Sequence, residues 1–114
     1  MLKIYHNNRC SKSRQTLELI QQAGQEVEVV EYLKTPPTAQ ELREVLQKLS
    51  LKPENLLRKG EKLYKENYKG KTLSDEEWIQ VMVEHPVLME RPIVVKDQQA
   101  VVGRPPENFL TLLD

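Results

Sequence analysis

Cys10 is the only cysteine of the 114-residue chain, and its neighbours Asn7, Asn8, Arg9, Ser11 and Lys12 are all polar. A free cysteine is more often a small buried hydrophobe than a reactive group, but this is a poor setting for a core residue. Up to Gly24 the chain sets Lys3, Arg9, Lys12 and Arg14 against a single acid, Glu18. That cationic excess favours the thiolate, the nucleophilic form. Ser13 stands three residues after Cys10, giving Cys-x-x-Ser. A second cysteine there would resolve a mixed disulfide; a serine can only hydrogen-bond the thiolate or cap a helix. The sixth position beyond Cys10 is Thr16, not the arginine that a tyrosine-phosphatase loop needs, so this is not a loop of that type. Three arginines stand beside structural punctuation: Arg58 before Lys59-Gly60, Arg91 before Pro92, and Arg104 before Pro105. One surface arginine alone is usually just solvated. His6 is close enough in sequence to tune Cys10, whereas His85, before Pro86, reads as a helix-end residue.

The elements that must position these residues follow from periodicity and punctuation. Leu2-Lys3-Ile4-Tyr5 reads as a short strand. Residues 12–23 read as a helix, with Leu17, Ile20 and Ala23 at helical spacing and Gly24 at the C-terminal cap. Cys10 thus occupies the turn between a strand and a helix, where open α/β sheets bind ligands. Unsatisfied N–H groups and the positive end of the helix dipole also favour a thiolate there. Residues 27–32 form a second, β-branched strand, and a βαβ unit of this length makes the two strands parallel.

Pro36-Pro37 then interrupts the chain. Thr38 and Glu41 form a capping box that opens a helix with Leu42, Val45, Leu46 and Leu49 on one face. Pro53 starts a short helix through Leu57, and Gly60 and Gly70 bracket a polar segment. Ser74 and Glu77 form a second capping box, for a helix with Trp78, Val81 and Met82 that ends before Pro86. Ile93-Val94-Val95 and Ala100-Val101-Val102 flank a polar turn and predict an antiparallel hairpin. Pro105-Pro106 begins a last helix with Phe109, Leu110 and Leu113 apolar. The order βαβ, helices, ββα predicts an α/β, thioredoxin-like fold. Its mixed four-stranded sheet would carry helices on both faces, with a helical insertion between the halves. A proline before the third strand of such a sheet is commonly cis and faces the nucleophilic cysteine, which would bring Arg91 near Cys10.

Composition narrows the function classes. The length suits a single domain, residues 1–114, with a modest core. Seventeen basic and seventeen acidic residues cancel, so no global field argues for nucleic acid or a membrane surface. One cysteine and two histidines make a dedicated zinc site a poor expectation. No apolar run approaches the roughly 20 residues that span a bilayer. The N-terminus lacks a signal-peptide layout, so a cytoplasmic protein is expected.

Taken in order, a set of short motifs resembles the glutaredoxin-coupled arsenate reductase family, a thioredoxin-like fold with a helical insertion. They are His6-Asn7-x-x-Cys10-x-x-Ser13-Arg14-x-Thr16-Leu17, Tyr32-Leu33-x-Thr35-Pro36-Pro37-Thr38, Leu56-Leu57-Arg58-Lys59, His85-Pro86-x-Leu88, Arg91-Pro92-Ile93-Val94-Val95 and Gly103-Arg104-Pro105. Asn8 replaces the proline that commonly follows His-Asn, and Ser11-Lys12 replaces the usual Gly-Thr, so the chain is most similar to a shorter branch.

The resemblance implies that Cys10 is the nucleophile, that Arg58, Arg91 and Arg104 bind arsenate or a similar oxyanion, and that His6 and Ser13 support the thiolate, with Asn7 and Pro92 beside them. It also implies glutathione as co-substrate and glutaredoxin as the partner that regenerates Cys10, with no bound metal or organic cofactor. The chemistry is coherent, since guanidinium forks and a helix N-terminus suit a tetrahedral dianion. With no second cysteine in the chain, an arsenic–sulfur adduct on Cys10 needs a thiol from outside. Two other classes remain at this stage: a monothiol, glutathione-dependent redox protein without arsenate activity, and a non-enzymatic regulator of the Spx type. Such regulators typically carry Cys-x-x-Cys, whereas this chain has Cys-x-x-Ser and three arginines.

Overall fold

A computed structural model describes residues 1–113 of the chain. Strands β1 (Leu2–His6) and β2 (Val27–Glu31) are joined by helix α1 (Ser11–Gln22). The middle of the chain forms α2 (Ala39–Leu49), α3 (Lys62–Asn67) and α4 (Asp75–Glu84), with 3-10 turns at Pro53–Leu56 and Pro86–Leu88. Strands β3 (Ile93–Lys96) and β4 (Gln99–Val102) make the hairpin, and a 3-10 helix spans Pro106–Leu112. The sheet order is β2-β1-β3-β4. β1 pairs parallel with β2, Leu2 opposite Val27, while β1–β3 and β3–β4 are antiparallel. This is the mixed α/β, thioredoxin-like arrangement that the element order predicts. The Arg91–Pro92 and Arg104–Pro105 peptide bonds are both cis. The described residues fold as two compact units: Met1–Thr35 with residues 91–113, and Pro36–Glu90.

In the first unit the period-2 alternation of the strands puts Leu2, Ile4 and Val94 on one face, in a single cluster with Ile20 of α1 and with Phe109 and Leu112. α1 stops because Gly24 takes φ +72. Its N–H donates to Gln21 O, and that of Gln25 to Ile20 O, at 3.0 and 3.2 Å, the paired bonds that close a helix on a left-handed residue. The C-terminal segment departs from the predicted helix. It is 3-10, so the buried residues are Pro106, Phe109 and Leu112, spaced by three as three residues per turn require. Leu110, expected to be apolar and inward, is half exposed.

In the second unit both capping boxes form as their sequences predict: Thr38 with Glu41, and Ser74 with Glu77. α2 buries Leu42, Val45 and Leu46, and α4 buries Trp78, Ile79, Val81 and Met82. The two helices pack together, bridged by Arg43 on Glu76, with Nε–Oε1 at 2.9 Å and NH2–Oε2 at 2.8 Å. α3 lies in the stretch that reads only as polar. Six residues with one buried side chain, Tyr64, carry too little apolar periodicity to announce a helix. Tyr64 holds it by stacking on Trp78, ring centroids 6.3 Å apart.

Candidate active site

The loop between β1 and α1 is a tight turn built by its own asparagine. Asn7 O accepts the Cys10 N–H, and Asn7 Oδ1 accepts the Arg9 N–H, both at 3.0 Å. The turn delivers Cys10 to the N-cap of α1 in an extended conformation, where its carbonyl receives the first helical bond, from Arg14 N–H at 3.0 Å. The Cys10 side chain makes no capping bond, and the residue is 9% exposed. Arg104 NH1 lies 4.0 Å from Cys10 Sγ and also donates to the Arg91 carbonyl at 3.3 Å. The Cys10 sulfur therefore has a guanidinium as its polar neighbour, and the Arg91-Pro92 segment is linked to the same group.

Ser13 neither caps α1 nor bonds the sulfur. Its fully buried hydroxyl lies 2.6 Å from His6 Nδ1 and accepts the Asn7 N–H at 3.0 Å. The His6 pKa is lowered from its ordinary 6.5, chiefly by burial, with Glu31 opposing and Arg14 assisting. A neutral imidazole therefore anchors the loop from β1.

Behind the site, Gly103 packs against two side chains. A Cβ there would meet Thr16 Oγ1 at 2.7 Å and Pro92 Cγ at 2.9 Å. Gly103 N–H donates to Pro92 O at 2.8 Å. Asn108 Nδ2 donates to Val102 O at 3.1 Å and to Arg104 O at 3.3 Å, clamping the backbone that carries Arg104. Sequence reading missed Asn108, although an amide four residues beyond Arg104 has the spacing for a bond back to that carbonyl.

Among the expected site residues, Cys10, Arg104, Arg91 and Pro92 come together in the first unit, as do His6, Asn7 and Ser13. Arg58 belongs to the second unit. It is half-buried between carboxylates, NH1 on Glu61 Oε1 at 2.9 Å and Nε 3.7 Å from Glu90 Oε1. Its N–H donates to Leu88 O at 2.7 Å, beside the Leu57–Met89 bridge. Among the described residues, no group of three or more His, Cys, Asp and Glu could hold a metal ion. No described helix is long and apolar enough to cross a membrane.

The family model described as "ArsC family" matches residues 5–112. The chain belongs to the ArsC family. Among relatives, it is 52% identical to the Escherichia coli (strain K12) protein named "Uncharacterized protein YfgD", covering 98% of this chain and 96% of that one. It is 42% identical to the arsenate reductase of Neisseria meningitidis (serogroup A), covering 98% and 97%. Among solved structures, arsenate reductase from Vibrio cholerae superposes with a TM-score of 0.95 at 46% identity, covering 98% and 97% of the two chains. The turn that presents Cys10 lies inside the matched region.

Proposed function

We propose that the protein reduces arsenate to arsenite, with Cys10 as catalytic nucleophile and with Arg91 and Arg104 as cations for the oxyanion. Arg58 is the third cation on this reading, and the whole chain works as one cytoplasmic catalytic domain with no bound metal or cofactor. The observation that carries it is the Arg104 guanidinium 4.0 Å from the sulfur of the only cysteine, at the start of α1. The relatives named arsenate reductase support the substrate class.

The Cys10 thiolate attacks arsenic, and an arsenate oxygen leaves as water. The guanidinium groups offset the charge that accumulates on the remaining oxygens, a stabilisation greatest where charge develops. Glutathione then attacks the Cys10 sulfur. The electron pair of the arsenic–sulfur bond passes to arsenic, As(V) becomes As(III) and leaves as arsenite, and Cys10 remains as a mixed disulfide. Glutaredoxin reduces that disulfide. The His6–Ser13–Asn7 set holds the loop, and Pro92 holds the Arg91 segment.

The test is arsenite formation from arsenate with glutathione and glutaredoxin present. Wild type should turn over, and Cys10→Ser should fold but form no arsenite. Glutathione exchange at Cys10 without arsenite would leave the monothiol redox reading in place. Turnover with thioredoxin but not with glutathione and glutaredoxin would refute the coupling alone.

A further inference from the structure

The sheet order β2-β1-β3-β4 puts β2 at an edge, and the phase of its ladder tells which groups stand on the outer side. Leu2 N–H donates to Glu26 O at 3.3 Å, and Leu2 lies opposite Val27 in the parallel register. With that phase the N–H and C=O groups of Glu28 and Val30 turn to β1. Those of Val27 and Val29, with the N–H of Glu31, turn outward, and among the described residues no strand pairs with them. Glu31 O is already taken, by Lys34 N–H and Thr35 N–H at 2.9 Å each. At the other edge, Val102 O of β4 accepts from Arg104 N–H at 2.9 Å and from Asn108 Nδ2 at 3.1 Å. β2 reads Val27-Glu28-Val29-Val30-Glu31, with none of the lysines or prolines that commonly blunt an edge. Val29 is 44% exposed, although it lies beside Ile4 on the face that holds the core cluster, against which Val27 packs. The apolar layer thus runs to the rim of the sheet and stops at an open valine.

We propose that this edge pairs with β2 of a second copy of the chain, antiparallel, about a two-fold axis at Val29. The strand is complementary to itself in that register and in no other. Val29 then faces its own copy, Val27 faces Glu31 of the second copy, and Glu28 faces Val30. All five residues pair, and no glutamate stands opposite a glutamate, the arrangement that like charges penalise. A shift of two residues either way pairs only part of the strand, residues 27–29 or 29–31, and the first of these sets Glu28 opposite its own copy. A shift of one residue turns the outward N–H and C=O groups of one strand to positions where the other has none. In the proposed register the Val29 pair exchanges two main-chain hydrogen bonds. Each Glu31 N–H donates to a Val27 O, so the occupied Glu31 carbonyl is not needed. The two valines at the axis also continue the apolar layer from one sheet into the next. The contact is isologous, so pairing at β2 closes on itself as a dimer. Five residues a side fall short of the roughly 20–30 that a stable interface engages, so the dimer is a weak one, formed at about 0.1–1 mM chain. The inference is independent of the proposed function, since neither Cys10 nor any of the three arginines lies on β2.

The experiment is sedimentation equilibrium of the full chain from about 20 µM to about 1 mM, a range that brackets a weak contact. A reductant keeps Cys10 a thiol, so that no intermolecular disulfide contributes. The apparent mass should rise from 13.3 kDa towards twice that value. Amide hydrogen exchange by NMR gives the register. Exchange at Val29 and Glu31 should slow as concentration rises, while Glu28 and Val30, already bonded to β1, should not change. Val29→Lys sets two like charges opposite each other at the axis and should weaken association at least about tenfold, whereas Val29→Ile should keep it. Val29→Thr, which keeps the β-branched shape and loses apolar surface, should fall between them, and it carries the test if the lysine variant does not fold. A mass that stays monomeric throughout would overturn the inference. So would a dimer whose Val29 and Glu31 exchange is independent of concentration, one that Val29→Lys and Val29→Thr leave unchanged, or a mass that climbs past the dimer.

Discussion

Gly103→Ala should destabilise the fold and damage the site together. The added Cβ would lie 2.7 Å from Thr16 Oγ1, about 0.7 Å inside the 3.4 Å at which ordinary contact begins, and 2.9 Å from Pro92 Cγ, about 0.5 Å inside it. Neither neighbour can swing clear. Thr16 is fully buried, with its hydroxyl on Lys12 O at 2.8 Å, and Pro92 is a closed ring, buried, before β3. The residues must separate, and overpacking of this kind costs about 1–3 kcal/mol. A chain of 114 residues unfolds with an entropy near 0.24 kcal/mol/K, so Tm should fall by about 4–12 °C.

Thermal unfolding followed by circular dichroism measures this directly. Thr16→Ala removes both threonine atoms that crowd the new methyl, so the double variant should be more stable than the sum of the single effects, with a coupling of about 1 kcal/mol. Arg104 follows Gly103 in sequence, so kcat/KM for arsenate should drop in the single variant and partly recover in the double. A Tm for Gly103→Ala within about 1 °C of wild type would refute the close-packing argument, given the entropy used above.

Arg91→Lys should lower kcat/KM for arsenate clearly while leaving Tm nearly unchanged, because a lysine keeps the charge but cannot form a bidentate fork; equal kinetics would remove Arg91 from the oxyanion site. His6→Asn should flatten the pH dependence of stability on the acid side. With the folded pKa below 6.5, the unfolded chain takes up the proton first, so the His6 contribution is fully present above about pH 6.5 and is lost as pH falls towards the folded value, at no more than about 1.4 kcal/mol per pH unit. Urea midpoints of both proteins at pH 7.5 and 5.5 check this, and parallel losses in the two would contradict it.

The strands and the two capped helices were legible because each carries a strong local signal: β-branched runs in β2 and β3, and reciprocal Ser/Thr–Glu boxes at Thr38 and Ser74. α3 was not, since Tyr64 is held by a ring 14 positions away in sequence rather than by its own periodicity. The period of the last helix was misread because Pro106, Phe109 and Leu112 satisfy a three-residue spacing that Leu110 and Leu113 obscure. At the site, the place of Cys10 followed from the strand–turn–helix reading. What stayed hidden were contacts between distant segments: Gly103 on Thr16, and His6 on Ser13. Glu31 looks like an ordinary surface charge until β2 is laid beside β1, which pairs His6 with Glu31.

Ser13 shows most directly how the site departs from what α1 alone would favour. A serine near a helix start usually caps it, yet here the hydroxyl is turned to His6 and the N-cap is a cysteine whose side chain caps nothing. Local stability is therefore forgone at the point where the nucleophile stands, as expected where function overrides local preference. The consequence can be measured in the variant that removes the chemistry. Cys10→Ser places a capping hydroxyl at the N-cap, within reach of the N–H groups of the first turn. Against this stands the loss of a largely buried sulfur and of its contact with Arg104. A cap contributes about 1 kcal/mol, so the inactive Cys10→Ser protein should melt at or slightly above the wild-type temperature, by up to about 4 °C. Amide exchange in residues 11–14 should slow in parallel. A lower Tm with faster exchange in that turn would mean that the sulfur–guanidinium contact stabilises the fold more than a cap does, and Cys10 would then be as much a structural residue as a reactive one.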